Sequence, residues 1–373
     1  MTTEVGTPVQ STGGSKRATI ADVAHTAGVS TSAVSKVLNN SYGVSPAMRE
    51  RVRAAMAELG YRPHAAARAM RGRTYTLGVL LASIRNAFYS DLLDGVNAVL
   101  RDTEYALFLG SSGSSEKSEK EEQTRLIHAM VDRRMDGLIL IAPAVRRSEV
   151  VRLAAEVPTV VIGHHDPSPA YDCVVNQDGT GVDLVIDHLV GLGHRDIAHL
   201  SHPTVRGTQW EQRPEHHVRA AYRAAMARHG LADLARIVHS GYSDEGGHRG
   251  ARELLTSERP PTAIFAGADV AATGVFRAAA ELGLRIPEDL SLAGYNNTSV
   301  AALAPVSLTS VDQAGALMGE TAARLLLERV EGRRDRAVVT ASTPHLVTRG
   351  STGVPRNGAP GLPVPLPQPR PIR

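Results

Sequence analysis

The 373-residue sequence predicts a two-part molecule: a small all-helical head followed by an α/β body of two parallel-sheet subdomains. Three observations carry this expectation. Residues 18–62 hold short helical patterns separated by glycines and capping residues. From Tyr75 onward, apolar β-branched runs alternate with helical patterns too often for one comfortable sheet. Basic charge is concentrated in the head. Residues 16–73 hold ten Lys and Arg against three acids, which leaves the rest of a chain of net charge +3 with four net negative charges.

The elements follow in order. Residues 1–17 are rich in Ser, Thr and Gly and read as a disordered leader. Ile20, Val23, Ala24 and Ala27 recur at helical spacing, with Thr19 as an N-cap and Gly28 as a stop. Ser30 caps a second helix that turns Ala33, Val34, Val37 and Leu38 inward. Ser45-Pro46 pairs a cap with proline at the first helical position, opening a third helix to about Leu59 that Gly60 ends. Pro63 opens a fourth short segment, PHAAARAMRGR.

In the body, TLGVLLA, YALFLGS, DGLILIAP and PTVVIGH read as strands, with helical patterns near 89–101, 119–133 and 147–155 between them. DIAHLSH, ARIVHSG, TAIFAG and LSLAGYN repeat the rhythm, with helices near 218–229, 246–255 and 271–282. Continuous apolar strands imply sheets covered on both faces, and ligands are expected at the carboxyl ends of such strands. Residues 351–373 hold seven prolines and read as a disordered or polyproline-like tail.

Composition bounds the function. An apolar content of 42% and a charged content of 21% describe a globular chain. The single cysteine, Cys173, excludes an internal disulfide, fits a reducing compartment and reads as a small buried hydrophobe rather than a nucleophile. No apolar run approaches the roughly 20 residues of a membrane span, and the first 17 residues lack a hydrophobic segment, so the expected location is the cytoplasm, in association with the nucleoid. His199, His202, His216 and His217 lack compact metal-ligand spacing. GSSGSSEKSEKEE lacks the Gly-Lys-Ser/Thr ending of a phosphate loop, and no nucleophile elbow or zinc-protease motif occurs. Neither an enzyme, a metal nor a cofactor is expected.

Two short helices joined by a glycine turn make a helix-turn-helix. Gly28 permits the turn, Ala24 allows close approach, and Val34 fills the angle between the helices. Thr31, Ser32, Ser35 and Lys36 then share the exposed face of the second helix, which suits a major groove. Hydroxyls can meet phosphates or base edges, and Lys36 can reach guanine acceptors.

The segments TIADVAHTAGVSTSAVSKVLNN and VSPAMRERVRAAMAELGYRPHAAARAMRGRT resemble the head of the lac repressor (LacI/GalR) family of transcription regulators. The resemblance continues over most of residues 18–352, through LGVLLASIRNAFYSDLLDGV, LVGLGHRDIAHLS, SLTSVDQ and LVTRGST. It implies a helix-turn-helix domain at 18–62, a hinge helix at 63–73 and a two-lobed effector-binding and dimerisation domain at 74–350. That domain would resemble a periplasmic-binding-protein-like core of two Rossmann-like subdomains. By position, Thr31, Ser32 and Lys36 match base-reading residues, and Thr19, Ser35, Asn39, Ser45 and Tyr61 match phosphate contacts. Ala67 and Met70 match the hinge residues of the minor groove, Met70 standing where a leucine wedge is usual and His64 where an asparagine is usual. The implied protein is a homodimeric, sequence-specific repressor on a pseudo-palindromic operator, controlled by a small molecule such as a sugar or other metabolite.

Effector-binding candidates by position are Asn86, Phe88, His164, Asp269 and Asn296. The pattern departs from the family at several places: Val218 stands where an arginine clamp is usual, Ala268 for an asparagine, and Asn296-Asn297 for paired aspartates. The loop HPTVRGTQWEQRPEHH is longer than its family counterpart, and Trp210 and Arg213 within it are expected to cover the cleft, an arginine replacing the clamp. Alternatives are a regulator whose cleft answers to a protein partner or to no ligand, a solute-binding receptor, and a sugar or nucleoside hydrolase.

Overall fold

The computed structural model describes residues 18–38, 43–61, 73–113, 119–203 and 213–356. The chain divides into two compact units, Met1–Thr74 and Tyr75–Arg373.

In the first unit, α1 (Ile20–Ala27), α2 (Thr31–Leu38) and α3 (Pro46–Glu58) surround a core of Val23, Val34 and Val52 with Ala24, Ala27 and Ala55. Each helix starts where a side chain satisfies its free amides. Asp22 N–H donates to Thr19 Oγ1 at 3.3 Å while Thr19 N–H donates to the Asp22 carboxylate at 2.7 Å, a reciprocal cap. Such caps contribute about 1 kcal/mol. Ala33 N–H donates to Ser30 Oγ at 3.1 Å, and Met48 N–H to Ser45 Oγ at 3.3 Å. Gly28 closes α1 at φ 63°, and Val29 N–H returns to the Ala24 carbonyl at 3.0 Å. This left-handed position is where glycine carries no Cβ penalty.

The second unit has two lobes. The first contains β1 (Thr76–Leu81), α4 (Ala87–Leu100), β2 (Ala106–Ser111), α5 (Glu119–Asp132), β3 (Gly137–Ile141), α6 (Arg147–Glu156), β4 (Thr159–Ile162) and β5 (Asp172–Asn176). The second contains α7 (Asp178–Gly191), β6 (Ile197–Ser201), α8 (Pro214–Arg228), β7 (Arg236–His239), α9 (Asp244–Leu255), β8 (Ala263–Ala266), α10 (Asp269–Glu281), β9 (Ser291–Tyr295) and β10 (Thr309–Asp312). The chain then returns to the first lobe as α11 (Gly315–Val330) and β11 (Val339–Ser342), and finishes in the second with β12 (His345–Val347).

The sheets run β11-β5-β4-β3-β1-β2 and β12-β10-β9-β8-β6-β7, each of six strands. All pairings are parallel except β10 with β12. Central strands such as β3 and β8 are buried along their whole length, as expected of a sheet covered by helices on both faces. Each lobe also clasps one helix pair backbone to backbone. A Cβ on Gly95 of α4 would lie 1.9 Å from the Ala316 carbonyl of α11, and one on Gly247 of α9 would lie 1.9 Å from the Ala271 carbonyl of α10.

Strand β5, helices α7 and α11 and strands β10 to β12 lie beyond the elements read from the sequence. The tail also differs. Residues 351–356 are held by the second lobe instead of forming part of a disordered tail: Thr309 N–H donates to Ser351 Oγ at 2.8 Å, Ser351 Oγ donates to the Leu292 carbonyl at 2.6 Å, and His194 Nε2 meets the Gly353 carbonyl at 2.9 Å. The leader, most of the 63–73 hinge segment and residues 357–373 lie outside the described residues. Cys173 is buried, and burial pushes its thiol up to about 12.

Candidate DNA-binding surface and interlobe cleft

The head presents the expected face. Thr31, Ser32 and Lys36 are exposed on α2, and Ser35 is half-buried, one turn beyond Thr31 and one residue before Lys36. Ser32 Oγ shares a 2.8 Å hydrogen bond with Ser30 Oγ, which holds its hydroxyl at the start of the helix. Thr19 and Ser45 are exposed N-caps of α1 and α3, so their backbone amides lie at helix N-termini, where phosphates bind readily. Tyr61 is half-buried against the head core, its N–H donating to the Met56 carbonyl at 2.9 Å. Asn39, Ala67 and Met70 lie outside the described residues.

In the body, the carboxyl ends of the strands and the N-termini of the following helices meet around a cavity of about 530 Å³ between the lobes. Asn86, Phe88, Arg213 and Asn296 line it. Asn86 caps α4, accepting from Phe88 N–H at 3.1 Å through its carbonyl, which leaves the amide nitrogen for the cavity. Asn296 and Asn297 have φ of 111° and 48°, left-handed values that asparagine tolerates better than most side chains. Val218 also faces the cavity, and the neighbouring Arg219 is buried beneath it, donating to the His202 carbonyl at 3.1 Å.

Arg213 stands at the N-cap position of α8 on the second lobe, and its side chain reaches across to the first. Its Nη1 lies 3.5 Å from Glu119 Oε2, and its Nε lies 3.0 Å from Glu215 Oε1. Burial, the largest influence, would raise the Glu215 carboxyl, but the Arg213 guanidinium, His202, a backbone N–H and Arg219 together hold the group below its ordinary value. Burial raises the Tyr89 phenol, beside the same arginine, to about 12.

Two expected cleft residues are not among those lining the cavity. His164 is buried, and burial followed by the Arg213 charge lowers it to about 4. Asp269, the first residue of α10, is fully buried and turned into the second lobe. It accepts from Thr298 N–H at 2.6 Å, Thr298 Oγ1 at 3.0 Å and Ser310 Oγ at 2.6 Å, while burial raises it to about 6. Its hydrogen-bonding capacity is spent on holding the loop after β9. Trp210 lies outside the described residues.

Sequence reasoning missed Glu119, Asp178, Glu215, Tyr242 and Gln313, all of which line the cavity. The available signal was positional, since Glu119, Asp178 and Glu215 sit in first turns of helices that follow strands or loops at the cleft. A polar knot joins two of the interlobe crossings. Asn176 Nδ2 lies 3.1 Å from Asp178 Oδ1, 3.1 Å from Tyr295 Oη and 2.9 Å from Gln313 Oε1, and Gln313 Nε2 donates to Asn296 Oδ1 at 2.5 Å. Among the described residues, no three His, Cys, Asp or Glu side chains gather as metal ligands. None of the described helices is long and apolar enough to cross a membrane.

Comparison with known proteins agrees with this geometry. Residues 19–64 match the model of bacterial regulatory proteins of the lacI family, and residues 186–352 match a periplasmic binding protein-like domain. The chain is 32% identical to the ribose operon repressor of Escherichia coli (strain K12), over 90% of this chain and 99% of that one. It is 31% identical to the HTH-type transcriptional repressor PurR of Erwinia tasmaniensis, over 90% and 96%. Among solved structures, the lac repressor dimer bound to operator and the anti-inducer ONPF superposes with a TM-score of 0.76 at 27% identity, covering 91% of this chain and all of that one. A LacI family regulator from Enterococcus faecium with bound ribose gives a TM-score of 0.64 at 27% identity, covering 75% of this chain and 99% of that one. From its capped helical head to its two parallel-sheet lobes, this chain belongs to the lacI family of bacterial regulatory proteins.

Proposed function

We propose that the protein is a sequence-specific transcriptional repressor, a homodimer on a pseudo-palindromic operator, whose DNA affinity is set by a small molecule in the interlobe cleft. The observation that carries this reading is the exposed Thr31, Ser32 and Lys36 face on a helix anchored by Val34 in a basic head. Thr31, Ser32 and Lys36 are assigned to base edges, and Thr19, Ser35, Asn39, Ser45 and Tyr61 to the phosphates that fix register. Ala67 and Met70 are assigned to the minor groove, Met70 as the apolar wedge that unstacks a base step.

In the cleft, Asn86, Phe88, Arg213 and Asn296 are the assigned ligand contacts, with Trp210 covering them and His164 and Asp269 supporting the wall from behind. An effector that favours one arrangement of the lobes changes operator affinity, and the operator changes effector affinity by the same factor. A cavity of about 530 Å³ is of the size that takes a metabolite, which favours a small molecule over a protein partner. The protein works in the cytoplasm on nucleoid DNA, and no catalytic role is assigned to it. Selection of bound duplexes from a random pool tests the proposal. The expected product is an inverted repeat with half-sites about one helical turn apart; enrichment of no sequence would overturn it.

A further inference from the structure

The side-chain amides that face the cleft have a fixed polarity. On the second lobe, Asp178 is a carboxylate and only accepts, so Asn176 turns its Nδ2 to Asp178 Oδ1, at 3.1 Å. The same Nδ2 lies 2.9 Å from Gln313, which must therefore present Oε1. Gln313 is left to donate through Nε2 to Asn296 Oδ1 at 2.5 Å. One carboxylate thus orients three amides head to tail, and the end left over is Nδ2 of Asn296, a cavity-lining residue at 7% exposure. On the first lobe, Phe88 N–H only donates, so Asn86 gives it Oδ1 at 3.1 Å and keeps Nδ2. Neither Nδ2 has a partner among the described residues.

Helix α10 adds donors on the second lobe. It begins at Ala268, which has no side-chain cap, and the N–H groups of Asp269 and Val270 find no acceptor among the described residues. Ala268 and Val270 both line the cavity. The carboxylates of the wall, by contrast, are committed to the chain itself. Glu119 takes Gln123 Nε2 at 3.1 Å and Arg213 Nη1 at 3.5 Å. Glu215 pairs with Arg213 Nε at 3.0 Å, with the buried Arg219 beside it. Asp178 is shared by Asn176, Tyr295 and His165, and Asp244 by Thr273 and Arg277. Glu245 is exposed at the rim, where water serves it. A buried hydroxyl of a ligand brings a proton that needs an acceptor, and leaving it without one costs free energy. A carbonyl or carboxylate oxygen brings lone pairs alone and takes up the free donors.

We infer that the effector is recognised through oxo groups, carbonyl or carboxylate oxygens that accept from Asn86 Nδ2 on one lobe and Asn296 Nδ2 on the other, rather than through hydroxyls. This rests on the reading of the cleft as the effector site. Asn86 and Asn296 are then the residues that set specificity, and Gln313 and Asn176 position the second of them.

The test measures thermal stabilisation, then calorimetric affinity, of the full chain against three arms of similar size. The arms are polyols (ribose, glucose, ribitol), neutral carbonyl compounds (glutarimide, N-methylsuccinimide) and dicarboxylates (succinate, glutarate), the last two separating the sources of an oxo group. Asn296→Asp keeps an oxygen for Gln313 Nε2 and turns the free end from donor to acceptor. Asn86→Asp does the same on the first lobe and keeps the bond from Phe88 N–H, should Asn296→Asp fail to fold. The expected result is that the tightest ligand comes from a carbonyl or dicarboxylate arm and that either substitution weakens it at least tenfold. A tightest ligand among the polyols, or a smaller loss in both variants, overturns the inference and leaves the cleft reading standing. No binding in any arm overturns the inference together with the cleft reading.

Discussion

Glu119 and Arg213 face each other across the cleft, Oε2 to Nη1 at 3.5 Å, one from the first lobe and one from the second. Both are almost fully buried, so the pair joins the lobes in a low-dielectric setting. Glu119 also accepts from Gln123 Nε2 at 3.1 Å, and the carbonyl oxygen of Gln123 in turn accepts from Ala144 N–H at 2.7 Å, which braces the carboxylate against β3 and its following loop.

Removing Glu119 therefore loosens the contact between the lobes. Glu119→Gln is expected to lower unfolding free energy by about 1–3 kcal/mol, less than for an isolated buried pair because Glu215 still serves Arg213. Urea denaturation of Glu119→Gln, Arg213→Met and the double variant measures the coupling. A coupling energy near zero would show that the two side chains act independently.

Lys36→Ala separates base reading from phosphate anchoring. Its expected cost is about 1–3 kcal/mol on the selected operator, with a smaller loss on random duplex. Binding assays at fixed salt on both DNAs decide it, and an equal loss on both would make Lys36 a phosphate contact.

Asp269 gives a pH signature. Burial raises it in the folded state to about 6 from the ordinary 3.8, so the folded protein binds more protons than the unfolded chain between those values. Its contribution to stability is therefore greatest below about pH 4 and falls as pH rises to 6, by about 3 kcal/mol for a two-unit shift. Asp269→Asn removes that slope. Denaturation curves of parent and variant from pH 4 to 7 should diverge in slope within this window and run parallel above it.

The clasped helices distinguish two kinds of glycine. Gly95→Ala places a methyl group 1.9 Å from the Ala316 carbonyl and must push α4 and α11 apart, so a loss above about 3 kcal/mol is expected. Gly179→Ala, in the first turn of α7 with open space around it, should gain about 0.5–1 kcal/mol. Thermal denaturation of the two variants tests the contrast.

The head was legible almost residue by residue, because caps, glycine stops and apolar spacing are local signals that Thr19, Gly28, Ser45 and Val34 carry without help. Strands β1 to β4 and β6 to β9 were legible for the same reason. The strands after β9 were not: β10, β11 and β12 are three or four residues long, and TSVD, VTAS and HLV have no apolar run that stands out from loops. Helix α7 carries glycines at 179, 181 and 191, which weaken its helical signature. Helix α11 shows a clear stripe of Met318, Ala322 and Leu326, but nothing local announces that it returns to the first lobe. The cleft divided along the same line. Asn86, Phe88, Arg213 and Asn296 face the cavity, whereas Asp269 turns inward because Thr298 and Ser310, distant in sequence, claim its oxygens.

The triple crossing between the lobes has a consequence during synthesis. The first lobe lacks its edge strand and the helix that clasps α4 until Ser342 has been made, and the second lacks its last strand until Val347. Neither lobe corresponds to a continuous stretch of chain, so the ribosome releases both in their final form within a few residues of each other. A nascent chain halted anywhere before about residue 340 holds two incomplete sheets with open edges, the condition in which chains aggregate. The last fifty or so residues therefore decide when the whole body becomes a folded object, and Ser351, seated between β9 and β10, sets the point at which that decision is complete.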